Sequence, residues 1–313
     1  MSSSGQIKGW FLQGIDYSDA PQSLNELSAR FVPNVIESRA LVSAPKWEAL
    51  IQGRATEEQH GWVPLADLAS TRRGIATGAN GFFLLSPKRV IELRLPEGSL
   101  VPCIGRANDV SGLVFGEEDF DLLKQSNGKC LLLDIKSRPN ADELAYIKSG
   151  ENSGLTTRYI LANRYPWYSM EQREPAPIWA SVFGRGDLEF VFNSALARSL
   201  TNFHCVYPIR QDSVFIRALT MTLNSRIVRQ GSRLHTRGYG GGLTKFEPND
   251  LKSIMVPDLR AVSGKTLSSL SELLGRADQI ARQKLDDSAL QDEVSGLVMS
   301  AGHEAVGGNK RLL

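Results

Sequence analysis

The chain has 313 residues, 42% of them hydrophobic and 22% charged, with a formal net charge of +2, so it reads as a globular chain able to bury one large core or two smaller ones. It has no run of about 18 consecutive apolar residues, which excludes a membrane-spanning helix, and its polar start has no basic segment followed by an apolar one, so no secretion signal is expected. Cys103, Cys130 and Cys205 are odd in number and too widely spaced for a metal knuckle; three buried thiols in a cytoplasmic protein is the expectation.

Residues 1–60 show no sustained period and contain turn clusters such as Asp16-Tyr17-Ser18-Asp19-Ala20-Pro21, so they read as a lead-in, with 46–51 as a short helical piece. From 61 to 260 the texture changes to short strands between Gly, Pro and Asn turns, predicted at 82–85, 90–95, 101–104, 130–135, 178–183 and 188–193. Asn140 followed three residues later by Glu143 predicts a capped helix start, and 214–226 predicts a second helix. Beyond 261, Leu267, Leu270, Leu273, Leu274, Ala277, Ile280 and Ala281 share one helical face. Leu290, Val294, Leu297 and Val298 extend it after an interruption at 284–287. The segment 261–301 is therefore one long or two shorter amphipathic helices, and 302–313 is expected to be a flexible tail. The fold class is α+β, an irregular strand-rich domain with flanking helices and a C-terminal amphipathic helical segment.

Charge is unevenly spread. Between Arg158 and Arg237 there are eleven arginines, no lysine and five acids, whereas from Lys265 onward six bases face seven acids. A local arginine excess fits a polyanionic partner, because the guanidinium fork matches phosphate and guanine bidentately. The run Arg72-Arg73-Gly74-Ile75-Ala76-Thr77-Gly78-Ala79-Asn80-Gly81-Phe82-Phe83 sets three glycines, a Thr and an Asn between arginines and an apolar segment. Such a loop can lay its backbone against a ligand; the alternative is a glycine turn entering a strand. A second cluster, Arg158-Tyr159, Arg164-Tyr165-Pro166-Trp167-Tyr168 and Arg173, interleaves guanidinium and aromatic groups. It suits gripping a phosphate chain while stacking on a base, or closing a core beneath arginine stems.

Catalytic constellations are few. The four histidines are scattered, with no HExxH, no Gly-x-Ser-x-Gly elbow and no Walker loop. The run Cys130–Lys136 ends in Asp134-Ile135-Lys136, the pairing with which Mg²⁺-dependent nucleases hold metal and water, with Asp119 or Asp121 as an upstream acid. The competing reading is a strand that ends in charge to leave the core.

Taken in order, these pieces resemble the C-terminal target-recognition region of the TaqI-like type II N6-adenine DNA methyltransferases of restriction-modification systems. The residues carrying the resemblance are Lys46-Trp47 with Leu50, Arg73 to Phe83, Arg164 to Tyr168, and Asn202-Phe203-His204. Leu219 with Leu223-Asn224-Ser225, Tyr239-Gly240-Gly241-Gly242-Leu243-Thr244-Lys245 and Val256-Pro257-Asp258-Leu259 complete the series. The resemblance implies double-stranded DNA as partner and Arg72, Arg73, Thr77, Asn80, Arg164, Trp167, Arg173, Arg237, Tyr239 and Lys245 as the DNA-facing set. Family enzymes also carry a Rossmann-like domain with an S-adenosylmethionine site and an Asn/Asp-Pro-Pro-Tyr/Phe motif. This sequence has no Pro-Pro pair and only about 45 lead-in residues, too few for a βαβ cofactor domain. The expectation is a recognition module that holds no cofactor or metal: either the product of a truncated or split gene or a subunit that works with a separate catalytic chain. Two alternatives stand: a nuclease using Asp134 and Lys136, and an assembly subunit whose 265–300 stripe docks on a partner.

Overall fold

The computed structural model describes residues 6–9, 21–37, 60–184, 188–232, 237–239 and 243–309; the helical piece expected at 46–51 lies outside them. The chain divides into two units, Met1–Gln59 and His60–Leu313. In the first, β1 (Gln6–Gly9) is followed by α1 (Leu24–Arg30) and by β2 (Asn34–Glu37), which pairs antiparallel with β1. Ser23 starts α1 by accepting a bond from the Glu26 amide at 3.2 Å.

The second unit begins with β3 (Trp62–Pro64), β4 (Ala69–Arg73), the one-turn α2 (Asn80–Phe83), β5 (Leu84–Leu85), α3 (Pro87–Leu93) and β6 (Leu100–Ile104). Next come β7 (Val114–Phe115), α4 (Glu117–Gln125), β8 (Leu131–Leu133), α5 (Ala141–Asn152), α6 (Tyr159–Ala162), β9 (Ile178–Ser181), β10 (Phe183–Gly184) and β11 (Phe190–Asn193). They are followed by β12 (Arg198–Ser199), β13 (Phe203–Pro208), α7 (Ser213–Leu223), α8 (Arg226–Ser232), β14 (Arg237–Tyr239), β15 (Leu243–Lys245), α9 (Pro248–Lys252) and β16 (Met255–Pro257). Two long helices, α10 (Gly264–Gln283) and α11 (Ser288–Asn309), complete the described residues.

A five-stranded sheet in the order β4-β13-β9-β11-β7 organises this unit, antiparallel except where β7 joins β11. Its strands β9, β11 and β13 are largely apolar because both faces are covered, whereas the edge strand β4 exposes Ser70, Arg72 and Arg73. Ile178, Ala180, Phe190 and Val206 point into one core, while Trp179, Val191, Phe203 and Cys205 point into another, as the period of two requires. The first core is closed by α7, α10 and α11, with Leu219, Leu223, Leu270, Leu274, Val294 and Val298 buried together. Asn224 joins the helical layer to the sheet: its amide oxygen accepts from the Phe190 N–H at 3.1 Å and its Nδ2 donates to the Phe190 carbonyl at 2.7 Å. A second sheet, β12-β6-β8-β5, packs against α2, α3 and α5 around Phe83, Leu84, Val90, Leu132 and Tyr146. Smaller sheets pair β10-β15-β14 and β16-β3.

The α+β class and the helix begun by Asn140 stand as expected; Asn140 and Glu143 cap each other's backbone amides at 2.8 and 2.7 Å. The three cysteines are buried free thiols, and burial pushes the Cys130 thiol up to about 11. Several expectations are corrected. Residues 82–83 and 90–93 are helical: Ser86 and Pro87 start α3, Val90 turns inward while Ile91 faces solvent, and Arg94 closes the helix in the left-handed region. The C-terminal stripe is covered by the chain's own α7 and central sheet, so it is no docking face for a partner. The tail expected from 302 continues α11 to Asn309, with Ala301 and Ala305 fully buried.

His204, buried on β13, shares its Nε2 with the Phe246 carbonyl at 2.7 Å. Burial holds its pKa below 6.5, against the upward pull of that carbonyl and of Glu247 and Asp250. The unfolded state therefore binds the extra proton: this contribution to stability is complete above the unfolded value and declines as pH falls through the folded one. Thermal unfolding followed from pH 7 to pH 5 is expected to show a falling midpoint, with a shallower fall in His204→Gln.

Candidate nucleic-acid interface

The glycine-rich loop 74–81 leaves the edge strand β4 and enters α2. At its root the Gly74 amide donates to the Phe203 carbonyl at 3.0 Å, and the Ile75 amide to that of Ser199 at 2.9 Å. At its crest Gly78 has φ +77, and Thr77 Oγ1 accepts from the Ala79 amide at 3.0 Å while donating to Asn80 Oδ1. The loop is thus hydrogen-bonded at both ends.

Its carbonyls are taken up by arginines from distant sequence. Arg164 donates to the carbonyls of Ala76 at 2.5 Å and Thr77 at 3.2 Å, Arg158 to that of Gly78 at 3.3 Å, and Arg173 to that of Arg73 at 2.5 Å. Glu171 lies among these guanidinium groups, 2.9 Å from Arg73, 2.9 Å from Arg173 and 3.8 Å from Arg164. Three arginines therefore share one carboxylate. Burial lowers the Arg164 pKa, Glu171 offsets this, and Arg73 adds to it.

Beneath the loop, Phe82 stacks on Tyr146 with centroids 4.3 Å apart and touches Trp167 at 5.5 Å. The Trp167 indole N–H donates to Glu151 at 3.1 Å, and the Tyr146 hydroxyl to the Phe82 carbonyl at 2.9 Å. The turn carrying Trp167 is held by the Ser169 amide, which donates to the Pro166 carbonyl at 2.9 Å. From this base Tyr165 is 100% exposed and Tyr159 85% exposed.

Of the residues expected to face DNA, the fold gathers Arg73, Thr77, Asn80, Arg164, Trp167 and Arg173 around this loop. Arg72 stands exposed on the adjoining strand. Thr77 is corrected in role: at 1% exposure its hydroxyl is used inside the loop, so it shapes the surface rather than touching a partner. Lys245 lies on a different sheet, paired with Glu247 at 2.6 Å, together with the backbone of Arg237 and Tyr239, whose side chains lie outside the described residues. Sequence reasoning missed Glu171; the available signal was an acid placed within an arginine-rich stretch.

Two acids of the nuclease reading, Asp134 and Asp119, serve structural purposes. Asp134 is 1% exposed and bonded to Arg198 at 2.9 Å and Gln172 at 3.2 Å, while Asp119 caps α4 and binds Arg282 at 2.7 Å. Among the described residues no three His, Cys, Asp or Glu side chains come together as a metal site, and no helix is long and apolar enough to cross a membrane.

A family model described as the C-terminal domain of the type II methyltransferase M.Eco57I matches residues 42–291. The chain is 36% identical over 230 residues to the type II methyltransferase M.AccI of Acinetobacter calcoaceticus, covering 73% of this chain and 43% of that protein. It is 26% identical over 225 residues to M.XamI, a type II methyltransferase of Xanthomonas campestris pv. amaranthicola, covering 72% and 41% respectively. The chain thus spans less than half the length of these relatives. Among solved structures, the type IIG restriction endonuclease BpuSI matches with a TM-score of 0.49 at 14% identity, over 88% of this chain and 36% of that one. The expected likeness to the C-terminal region of a type II methyltransferase holds, and the chain belongs to the family of the M.Eco57I C-terminal domain.

Proposed function

We propose that this chain is the DNA-recognition part of an adenine-N6-specific methyltransferase, and that loop 74–81 with its arginines is the surface that meets duplex DNA. The observation that carries the reading is the convergence of Arg73, Arg164 and Arg173 on one carboxylate, with Arg158 and Arg164 bonded to the carbonyls of one loop. Their charge is only partly compensated, and phosphate oxygens are the acceptors that such a surface fits. Arg72 and Asn80, both exposed beside it, would add contacts; Arg237, Tyr239 and Lys245 would form a second contact through the β14–β15 hairpin. Methyl transfer is assigned to a separate catalytic domain or chain. Loop 74–81 is not assigned to S-adenosylmethionine, because it enters a one-turn helix and arginines already occupy its carbonyls.

Fluorescence anisotropy with labelled duplex across a salt series tests the reading. The logarithm of the affinity is expected to fall linearly with the logarithm of salt, by about 0.9 per phosphate contact. Salt-indifferent binding, or none, removes the proposal. Mass spectrometry of DNA modified in the presence of a catalytic partner should find N6-methyladenine; methylcytosine instead would refute the adenine assignment.

Glu171→Gln provides an internal check. Its carboxylate competes with phosphate for Arg73 and Arg173, so removing the charge is expected to raise non-specific DNA affinity about fivefold, close to the ~1 kcal/mol of a partly exposed ion pair, and to steepen the salt slope. A weaker-binding variant would show that Glu171 organises the surface rather than screening it.

A further inference from the structure

At the centre of the sheet face that carries Trp179, Val191 and Phe203, Trp179 is sealed between Phe115 and Phe203, with ring centroids 5.5 and 5.4 Å away. At the end of this face, where Ser181 on β9 stands opposite Phe203 on β13, a recess of about 140 Å³ opens between the sheet, the 107–113 connection and the last turn of α10. Val110, Leu113, Val191 and Phe203 give it apolar walls, and Ala281 is an exposed member of its rim. Glu189 is the one charged side chain that lines it among the described residues. The backbone of Glu189 is fixed: its amide donates to Ser181 Oγ at 3.2 Å, and its carbonyl accepts from the Ser181 amide at 3.0 Å. Its carboxylate has no hydrogen-bond or ion-pair partner among the described residues. Arg282, which follows Ala281, is already engaged: Nε donates to Asp278 at 2.7 Å, Nη1 to Asp119 at 2.7 Å and Nη2 to the Val114 carbonyl at 2.6 Å.

Size and charge together define the occupant. Pockets for cofactors and drug-sized ligands run to about 300–1,000 Å³, so this recess takes a single side chain rather than a nucleotide. A phosphate would meet a carboxylate here, with no cation among the lining residues to receive it. A long apolar stem that ends in positive charge matches both the walls and the rim. Of the two such side chains, arginine pairs bidentately with a carboxylate and is enriched among the residues that anchor protein interfaces. We propose that this recess is an anchor pocket for one arginine of a partner protein, with the stem against Leu113 and Val191 and the guanidinium on Glu189. The surface goes beyond the DNA-recognition reading and does not depend on it, since DNA presents no such cation.

The test titrates the full chain, methyl-labelled at Leu and Val, with the capped peptide Gly-Gly-Arg-Gly-Gly, with its citrulline counterpart and with agmatine, and follows the Leu113 and Val191 methyl resonances by NMR. The arginine peptide is expected to shift both residues saturably, and the uncharged citrulline peptide to leave them in place. Glu189→Gln should weaken the arginine peptide about fivefold, the effect of a partly exposed ion pair. Ala281→Phe, which fills the rim and keeps the carboxylate, should abolish the shifts. Because Glu189 and Ala281 are both exposed, each variant should unfold at the unaltered midpoint. Absence of a saturable shift, or equal shifts with citrulline, overturns the proposal. So does a response to agmatine without one to the peptide, which would make the recess a small-amine site rather than a docking point. Shifts that persist unchanged in both variants would place the peptide elsewhere and overturn it too.

Discussion

Gly74→Ala is expected to destabilise the second unit by about 4 kcal/mol or more, at the extreme of single-residue effects. An added Cβ would overlap the Leu200 carbonyl oxygen, and would lie 2.6 Å from the Leu200 carbonyl carbon and 2.9 Å from the Phe203 oxygen. These obstacles are backbone atoms, and the backbone there is locked. The Leu200 amide donates to Ile104 at 2.9 Å and the Phe203 amide to Leu200 at 3.2 Å, while Gly74 itself donates to Phe203. Neither side can yield without breaking the junction between the two larger sheets. The other loop glycines set the scale. At Gly78 a Cβ would meet the Ile160 and Leu161 side chains at 3.1 Å, and φ is +77; Ala there should cost roughly 1 kcal/mol. Gly81 has nothing within 4 Å, and Ala there should be nearly neutral. Urea unfolding followed by tryptophan fluorescence ranks the three. Equal midpoints for Gly74→Ala and Gly81→Ala would show that the backbone approach at Gly74 is looser than described.

Legibility in the sequence followed the range of the interactions. Strands buried on both faces, such as β9 and β11, announced themselves as apolar runs, and the Asn140–Glu143 cap and the helical stripe of α10 are signals read within a few residues. Residues 90–95 misled because their Val, Ile and Leu content suggests a strand. The deciding information lay upstream, in a Ser-Pro pair that starts a helix. The stripe of 267–298 was visible, but not what covers it, since its cover, α7, is some fifty residues away in sequence and is itself apolar. The site divides in the same way. Its arginines and glycines stood out by composition, whereas their arrangement depends on bonds from Arg164 to Ala76 and from Arg173 to Arg73, spanning 88 and 100 residues. No local pattern could show that several of these arginines secure the loop, or that Glu171 sits among them.

Asp134→Ala is expected to cost about 3–5 kcal/mol, the loss typical of removing one partner from a buried ion pair. Asp134 accepts from Arg198 at 2.9 Å and from Gln172 at 3.2 Å, with the amine of Lys136 at 3.9 Å. Arg198, on β12, is itself largely shielded, so the substitution leaves a guanidinium facing a low-dielectric interior without its carboxylate. If the loss comes from that unpaired charge, removing both charges should recover much of it: Asp134→Leu combined with Arg198→Met is expected to be more stable than Asp134→Ala alone. The same variants separate this structural role from metal chemistry. A carboxylate that held Mg²⁺ would make the unaltered protein's unfolding midpoint rise with added Mg²⁺, an increment absent from the double variant, because a ligand that binds only the folded state stabilises it by mass action. An Asp134 committed to Arg198 gives midpoints indifferent to Mg²⁺ in both proteins and no Mg²⁺-dependent plasmid cleavage that tracks Asp134. A Mg²⁺-dependent midpoint lost in the double variant would instead return Asp134 to the candidates for catalysis, and would require the pair with Arg198 to open in solution.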